Sequence, residues 1–147
     1  MKGDNKESLN KMVYELSYYE TWAKNLQQQV EVLQASLEET VAAQSAIRGL
    51  QKTAGQDALF SLGSRVFIKA KPEKKSTVMV ESGAGVMIER QSGEALAELD
   101  LIIGKIKAGL EGAQNQLREI SKRAQELNKT VEGLSARETA GEQGREK

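Results

Sequence analysis

Few residues of this chain have the types and spacing that chemistry requires. The sequence contains no cysteine and no histidine, so it offers no disulfide, no Cys/His zinc site, no thiol nucleophile and no Ser-His-Asp triad. Residues 63–65 (GSR) and 83–85 (GAG) have the composition of phosphate-binding loops. Neither has the full glycine spacing of a dinucleotide fingerprint, a Lys-Ser/Thr pair or a helix directly after it. We interpret both stretches as hairpin turns.

The acidic residues are the remaining candidates for chemistry. Adjacent carboxylates such as Glu38 and Glu39 could bind Mg²⁺ or transfer protons. They fall on the exposed face of a predicted helix, where acidic side chains usually interact with solvent. We therefore predict no catalytic residue, no metal site and no cofactor, and hence no enzyme.

The overall charge and hydropathy exclude two classes of partner. The chain has 21 basic and 21 acidic residues and a formal net charge of zero, and it has no basic arm of the kind that binds phosphate backbones. No apolar run approaches the roughly 18 residues of a membrane span. We expect a cytoplasmic protein that binds neither nucleic acid nor membrane.

The distribution of glycine and proline divides the chain into its elements. Both residue types are absent from residues 4–48 and frequent from residue 49 to residue 93, a pattern that predicts two helices separated by turns. We predict an N-terminal coiled-coil helix over residues 1–53 and a C-terminal coiled-coil helix over residues 92–136. Between them, residues 54–91 form two β-hairpins that act as an oligomerisation module. The small, charged residues 137–147 form a disordered tail.

Apolar residues in both helical segments recur at alternating spacings of three and four. Ten of the twelve positions are apolar in the first segment, and all twelve in the second. A sustained repeat of about 3.5 residues is typical of a left-handed coiled coil. If the chain folds back between the segments, the seam positions pair in antiparallel order, from Leu9 with Leu134 to Ile47 with Leu96. The resulting antiparallel arm is about 60 Å long. These positions, called the seam, are Leu9, Met12, Leu16, Tyr19, Ala23, Leu26, Val30, Leu33, Leu37, Thr40, Gln44, Ile47, Leu96, Leu99, Ile103, Ile106, Leu110, Ala113, Leu117, Ile120, Ala124, Leu127, Val131 and Leu134.

Two sets of residues interrupt this pattern. Thr40 and Gln44 are polar seam positions, which are either a tolerated polar layer or a device that fixes the register of the two helices. Gly104, Gly109 and Gly112 lie inside the second helix, where each costs about 1 kcal/mol relative to alanine. We interpret these glycines as a soft spot in the arm.

The middle segment predicts four short strands, over residues 59–62, 66–71, 77–81 and 86–89. Their apolar residues lie on both faces, and roughly 30 residues with open strand edges cannot bury themselves alone. We expect them to pair with strands of other subunits. The predicted oligomer interface consists of Leu59, Phe60, Leu62, Val66, Phe67, Ile68, Val78, Met79, Val80, Val86, Met87 and Ile88.

Aromatic residues are concentrated near the start of the first helix. Tyr19 belongs to the seam, whereas Tyr14, Tyr18 and Trp22 are four residues apart and form an aromatic ridge beside it. In one interpretation Trp22 shields the seam and the tyrosines are incidental. In the other, the ridge and the neighbouring Val13 form an apolar surface that contacts other proteins.

The order helix, two hairpins, helix resembles an alpha-type prefoldin subunit. Residues 59–70 (LFSLGSRVFIKA) resemble the strand entry of that family, and residues 80–89 (VESGAGVMIE) resemble its second-hairpin turn. The family commonly has proline where Ser61 stands and a small residue where Arg65 stands. The resemblance covers residues 5–136, and the two hairpins indicate the alpha type because beta-type subunits have one. It favours an archaeal source.

This resemblance implies an α+β fold in which a long antiparallel two-helix coiled coil carries two β-hairpins that join an oligomeric β-barrel. It also implies an ATP-independent chaperone, a holdase. In the family, two alpha-type and four beta-type subunits form a hexamer, and the tips of its arms hold nonnative proteins for delivery to a group II chaperonin. The implied partners are therefore beta-type prefoldin subunits, a second alpha-type copy, nonnative client proteins and the chaperonin.

Seam residues at the ends of the helices would be exposed by fraying, because terminal turns lose packing on one side. A client with apolar surface could then replace the partner helix. The predicted client-binding residues are Leu9, Met12, Val13, Tyr14, Leu16, Tyr18, Trp22, Leu127, Val131 and Leu134. The alternative function is that of a structural coiled-coil tether or filament-forming protein with a β oligomerisation module.

Overall fold

The computed structural model of the chain describes residues 2–73 and 77–143. Two long helices enclose two small antiparallel strand pairs in the sequence, which confirms the predicted fold class. The elements, in chain order, are α1 (Lys2–Lys52), β1 (Ala58–Gly63), β2 (Val66–Ala70), β3 (Thr77–Glu81), β4 (Met87–Gln91) and α2 (Ser92–Gln143).

The inner ends of both helices lie within a residue of their predicted positions. After the last residue of α1, the amide of Thr53 donates to the carbonyl of Gly49 at 3.1 Å. Gly55 then adopts a φ of +80°, a left-handed conformation that ends helices and that glycine adopts without strain. At the other side of the strands, α2 begins directly after β4 at Ser92, which is buried. Glu94 in its first turn interacts favourably with the helix dipole.

The outer end of α2 differs from the prediction. The sequence predicted disorder from residue 137, but the helix continues to Gln143, so the prediction is wrong for residues 137–143. Alanine, arginine and glutamate dominate the turns before Gly141 and favour helix. The hydroxyl of Thr139 donates to the carbonyl of Ser135 at 2.7 Å. Residues 144–147 lie outside the described residues.

The four strands form two separate hairpins, β1 with β2 and β3 with β4. Phe60 faces Ile68 in the first hairpin, which has an irregularity between Ser61 and Gly63. Val80 faces Ile88 in the second. β4 begins at Met87, so the prediction that a strand begins at residue 86 is one residue early, because Val86 closes the turn.

Both glycine-containing stretches are hairpin turns, as predicted. In the first turn Ser64 and Arg65 have φ values of 46° and 67°, and in the second Ala84 has a φ of 51°. Side chains other than glycine are strained in this left-handed region by about 1–2 kcal/mol. The turn around Ala84 is closed by the amide of Val86, which donates to the carbonyl of Gly83 at 3.1 Å.

The chain divides into two compact units, residues 1–33 with 109–147 and residues 34–108. The described residues of the first unit, 2–33 and 109–143, are helical, and the core of this unit consists of Leu26, Ala113 and Ile120. Around this core pack Tyr19, Ala23, Val30 and Leu117. The second unit contains the four strands and the helical segments that flank them, with Gln44, Ser92, Ala95 and Ile106 buried.

The register of the two helices agrees with the predicted seam. All seam positions are buried or half-buried. In the first unit, a Cβ atom on Gly109 would lie 3.6 Å from Leu33 Cδ1, where the sequence predicted that Leu33 faces the adjacent residue, Leu110. In the second unit, Gln44 contacts Asp100, the neighbour of its predicted partner Leu99. The antiparallel pairing is therefore confirmed within each unit.

Candidate functional site

The strand pairs carry the largest set of exposed apolar side chains in the second unit. Nine of the twelve predicted interface residues are exposed, among them Leu59 at 72% and Phe67 at 58%. Phe60, Val78 and Val80 are half-buried. A two-stranded pair is marginally stable in water by itself, and large exposed apolar patches usually mark interaction sites.

The helical segments of the second unit partly cover the second hairpin. Val78, Met79 and Val80 line an apolar groove of about 460 Å³, whose other wall includes Ala46, Leu99 and Ile102. Val78 and Val80 are half-buried, whereas Met79 is 57% exposed. The groove thus leaves apolar surface of β3 accessible.

The polar contacts near the strands include two exposed ion pairs of Asp57. Asp57 forms ion pairs with Lys69 at 2.8 Å and with Lys71 at 3.7 Å, and all three side chains are exposed. Exposed pairs of this kind contribute little to stability. Among the side chains that the structure describes, those of residues 6–73, 77–137, 139 and 140, no group of three or more Asp or Glu is placed to hold a metal ion. No helix among these residues is long and apolar enough to cross a membrane.

The rings of the aromatic ridge are all exposed on α1. The ring centroids of Tyr18 and Trp22 are 5.9 Å apart, and the Tyr18 ring also packs edge-on against Tyr19 at 6.0 Å. Exposure falls along the ridge from 80% at Tyr14 to 59% at Tyr18 and 40% at Trp22. Val13 is 48% exposed on the same helix. Trp22 is the most covered ring, but the two tyrosines present most of their surface to solvent.

The seam residues predicted to bind clients have a different environment from the ridge. Each is half-buried in the first unit, and none reaches the burial of Leu26 or Ile120. They are Leu9, Met12, Leu16, Leu127, Val131 and Leu134. The predicted client-binding residues therefore comprise an exposed set, the ridge with Val13, and a half-covered set at the helix ends.

Comparison with known proteins identifies the family. Residues 19–137 match the family model described as "Prefoldin subunit". The chain belongs to the prefoldin family. This membership confirms the resemblance predicted from residues 59–70 and 80–89, and it places the chain among chaperone subunits.

The relatives support the alpha type and an archaeal affinity. Prefoldin subunit alpha of Pyrococcus horikoshii is 27% identical over 136 residues, covering 86% of this chain and 91% of the relative. Prefoldin subunit alpha of Methanococcus aeolicus is 25% identical over 126 residues and covers 86% of each chain. A cryo-EM structure of filamentous PFD from Methanocaldococcus jannaschii has a TM-score of 0.65 at 20% identity and covers 78% of this chain and 95% of that chain. It shares the fold.

Three polar contacts of this prefoldin chain were missed by sequence reasoning. In the first unit, Arg123 Nη1 donates to the Tyr19 hydroxyl at 3.3 Å, and that hydroxyl donates to Glu15 Oε1 at 3.2 Å. The bond to Tyr19 is the main cause that raises the pKa of the Arg123 guanidinium above its ordinary value. In the second unit, Gln44 Nε2 donates to Asp100 Oδ1. Arg123 and Asp100 are each adjacent to a seam position in the sequence. This adjacency is the pattern from which their contacts could have been predicted.

Proposed function

We propose that this prefoldin chain is a subunit of an ATP-independent holdase, which captures nonnative proteins and delivers them to a group II chaperonin in the cytoplasm. The observation that supports this function best is the exposure of the aromatic ridge on a helix whose other apolar residues lie mostly in the seam. Its tyrosine rings are open to solvent although the seam beside them is covered. A surface of this kind suits transient contact with apolar segments of many sequences.

Assembly takes place through the strand pairs. The exposed residues of β1, β2, β3 and β4 pair with strands of other subunits, two alpha-type and four beta-type, and so complete a barrel. Burial of side chains such as Leu59, Phe67 and Met79, each more than half exposed in the single chain, supplies the driving force at about 25 cal/mol per Å² of apolar area. The predicted interface residues are the interface of this assembly.

Client capture takes place at the outer turns of the helices. The ridge and Val13 contact a client first because they are exposed. The half-covered seam residues at the helix ends follow when those turns open. Each contact is weak, and several arms acting together provide avidity. No step requires nucleotide or a catalytic residue.

An aggregation assay tests this function. The complex of this chain with a beta-type prefoldin subunit should keep a denatured, diluted client soluble without ATP. Replacing the three ridge residues Tyr14, Tyr18 and Trp22 together with glutamine should weaken this protection severalfold. The matched control replaces Val32 and Leu101, which are 68% and 69% exposed outside the ridge, with glutamine, and it should protect like the parent.

The outcomes separate holding from assembly. A correctly assembled complex that fails to protect the client refutes the holdase function. If the ridge variant and the control variant protect the client equally well, the ridge is not part of the client-binding surface. Deleting residues 1–16 and 128–147 should abolish protection and leave the number of subunits per complex unchanged. Dissociation of that truncated complex would place assembly in the helices instead of the strands.

The second candidate is a structural tether or filament-forming protein. It is favoured by one comparison, since the similar structure from Methanocaldococcus jannaschii is of a filamentous PFD. Strand edges that pair head to tail form a closed ring or an open filament, depending on whether the rotation closes. Native mass spectrometry of this chain with and without a beta-type subunit distinguishes the two. A single defined mass supports the closed hexamer, and a ladder of masses supports the filament.

A further inference from the structure

A chain of polar contacts in the first unit connects the two helices close to the proposed client-binding ends. The Tyr19 hydroxyl accepts a hydrogen bond from Arg123 Nη1 at 3.3 Å and donates one to Glu15 Oε1 at 3.2 Å. Both hydrogen-bonding capacities of the phenol are therefore in use. Glu15 precedes Tyr19 by one helical turn and shares its helix, so the contact between the helices is the one from Arg123.

These residues lie at the point where the burial of the seam changes. Toward the helix core, Leu26 is 5% and Ile120 is 6% exposed. Toward the helix ends, Leu16 and Leu127 are only half-buried. A cleft of about 310 Å³ at this point is lined by Glu15, Tyr19, Arg123, Glu126, Leu127 and Thr130. The packing that holds the two helical segments together is thus weaker on the outer side of Tyr19.

We propose that Glu15, Tyr19 and Arg123 form a latch that limits how far the outer turns of the two helices separate. The helix ends beyond the latch open and close, while the core on its inner side stays closed. Because the guanidinium and the carboxylate bind the two sides of one hydroxyl, separation of the helices at Tyr19 breaks a charge-assisted contact. Farther out, the described side chains of residues 6–18 and 124–137 form no hydrogen bond or ion pair between the helices, so separation there breaks apolar contacts. Tyr19 and Arg123 are positioning residues, since they act on the seam residues that contact the client.

The role of this latch in client access rests on the proposed holdase function, but its effect on opening does not. When the latch is weakened, the outer seam residues should be open for a larger fraction of time, and a client should be captured faster. Opening is measurable without any client, so failure of the latch and failure of the holdase are distinguishable.

The experiment compares two tyrosine variants by hydrogen exchange in the assembled complex. Tyr19→Phe removes the hydroxyl and keeps the ring that packs in the seam. Tyr14→Phe makes the same chemical change at an 80% exposed ring and serves as the matched control. Because both hydrogen bonds are exposed, backbone amides of residues 9–16 and 127–134 should exchange about two- to threefold faster in Tyr19→Phe, the factor for a hydrogen bond at the weak end of the usual net range. Residues 23–33 and 110–120 should exchange as in the parent.

Arg123→Gln provides an independent variant, because the shorter neutral side chain lacks the charge that faces the phenol. Arg123→Gln should accelerate hydrogen exchange of residues 9–16 and 127–134. Tyr14→Phe should leave the exchange of both segments unchanged. Unchanged exchange at the helix ends in Tyr19→Phe overturns the latch. Equally accelerated exchange of residues 23–33 and 110–120 also overturns the latch, because the Tyr19 hydroxyl then stabilises the whole unit. Faster exchange without faster client capture refutes the role of the latch in client access.

Discussion

The buried amide of Gln44 allows a quantitative test of what holds the second unit in register. Gln44 is 8% exposed, and its Nε2 donates to Asp100 Oδ1. Asp100→Ala removes that acceptor and leaves a buried N–H group unsatisfied, which costs about 1–3 kcal/mol. Alanine has the higher helix propensity, by up to about 0.7 kcal/mol, so we expect a net loss of about 0.5–2 kcal/mol.

The same substitution should behave differently once the amide is gone. Gln44→Leu replaces the buried amide with an apolar side chain of similar size, and Asp100→Ala then removes a carboxylate that has nothing to satisfy. In that background the loss should vanish, or become a small gain of up to about 0.7 kcal/mol from helix propensity. Asp100→Asn, which keeps an acceptor oxygen, should cost less than Asp100→Ala.

Urea unfolding of the full chain, followed by circular dichroism, supplies the four free energies of this double-mutant cycle. We expect a coupling energy of about 1–3 kcal/mol. If Asp100→Ala has the same effect in both backgrounds within about 0.5 kcal/mol, the two side chains are independent. Gln44 is then a tolerated polar layer, and the hydrogen bond does not fix the register.

Four further substitutions, one of them with a control, test the glycines, the turns and the strands. Gly104→Ala and Gly133→Ala should each raise the free energy of unfolding of the single chain by about 1 kcal/mol in thermal melts, because an added Cβ meets no atom within 4 Å; a loss at either position would contradict this. Arg65→Gly should raise the free energy of unfolding by about 0.5–1 kcal/mol, because glycine adopts the left-handed conformation of this turn without strain. A lower melting temperature would argue against strain at Arg65. Phe67→Lys should reduce the mass of the assembled complex in native mass spectrometry, whereas Tyr14→Lys should not, and full assembly of Phe67→Lys would remove β2 from the interface.

The seam was predictable because its period is set by helix geometry alone. Twenty-four positions spaced by three and four were identified without any knowledge of contacts, and all are covered in the structure. The contacts of Arg123 and Asp100 were not predictable in the same way. Each flanks the seam, and whether such a side chain reaches the other helix depends on its rotamer and on the register to within one residue.

Amino-acid composition predicted the exposed strands correctly and the structure of the tail wrongly. Apolar residues on both faces of β2 and β3 predicted that these strands need partners, and most of those side chains are exposed in the single chain. The small, charged residues after Arg137 suggested disorder, but several of them favour helix and α2 continues to Gln143. The predicted client-binding residues remain a prediction, because a chain without its client shows only which of them are exposed.

The open strand pairs have a consequence for newly synthesised copies of this chain. Until its partners arrive, a copy exposes side chains such as Leu62, Ile68 and Met87, which are 65%, 49% and 54% exposed, beside unpaired strand edges. Such edges promote aggregation, and exposed apolar surface is also what a holdase recognises. An orphan copy therefore resembles the clients it is proposed to serve. Balanced synthesis of the partner subunits protects it, and overproduction of this chain alone should direct it to inclusion bodies or proteolysis.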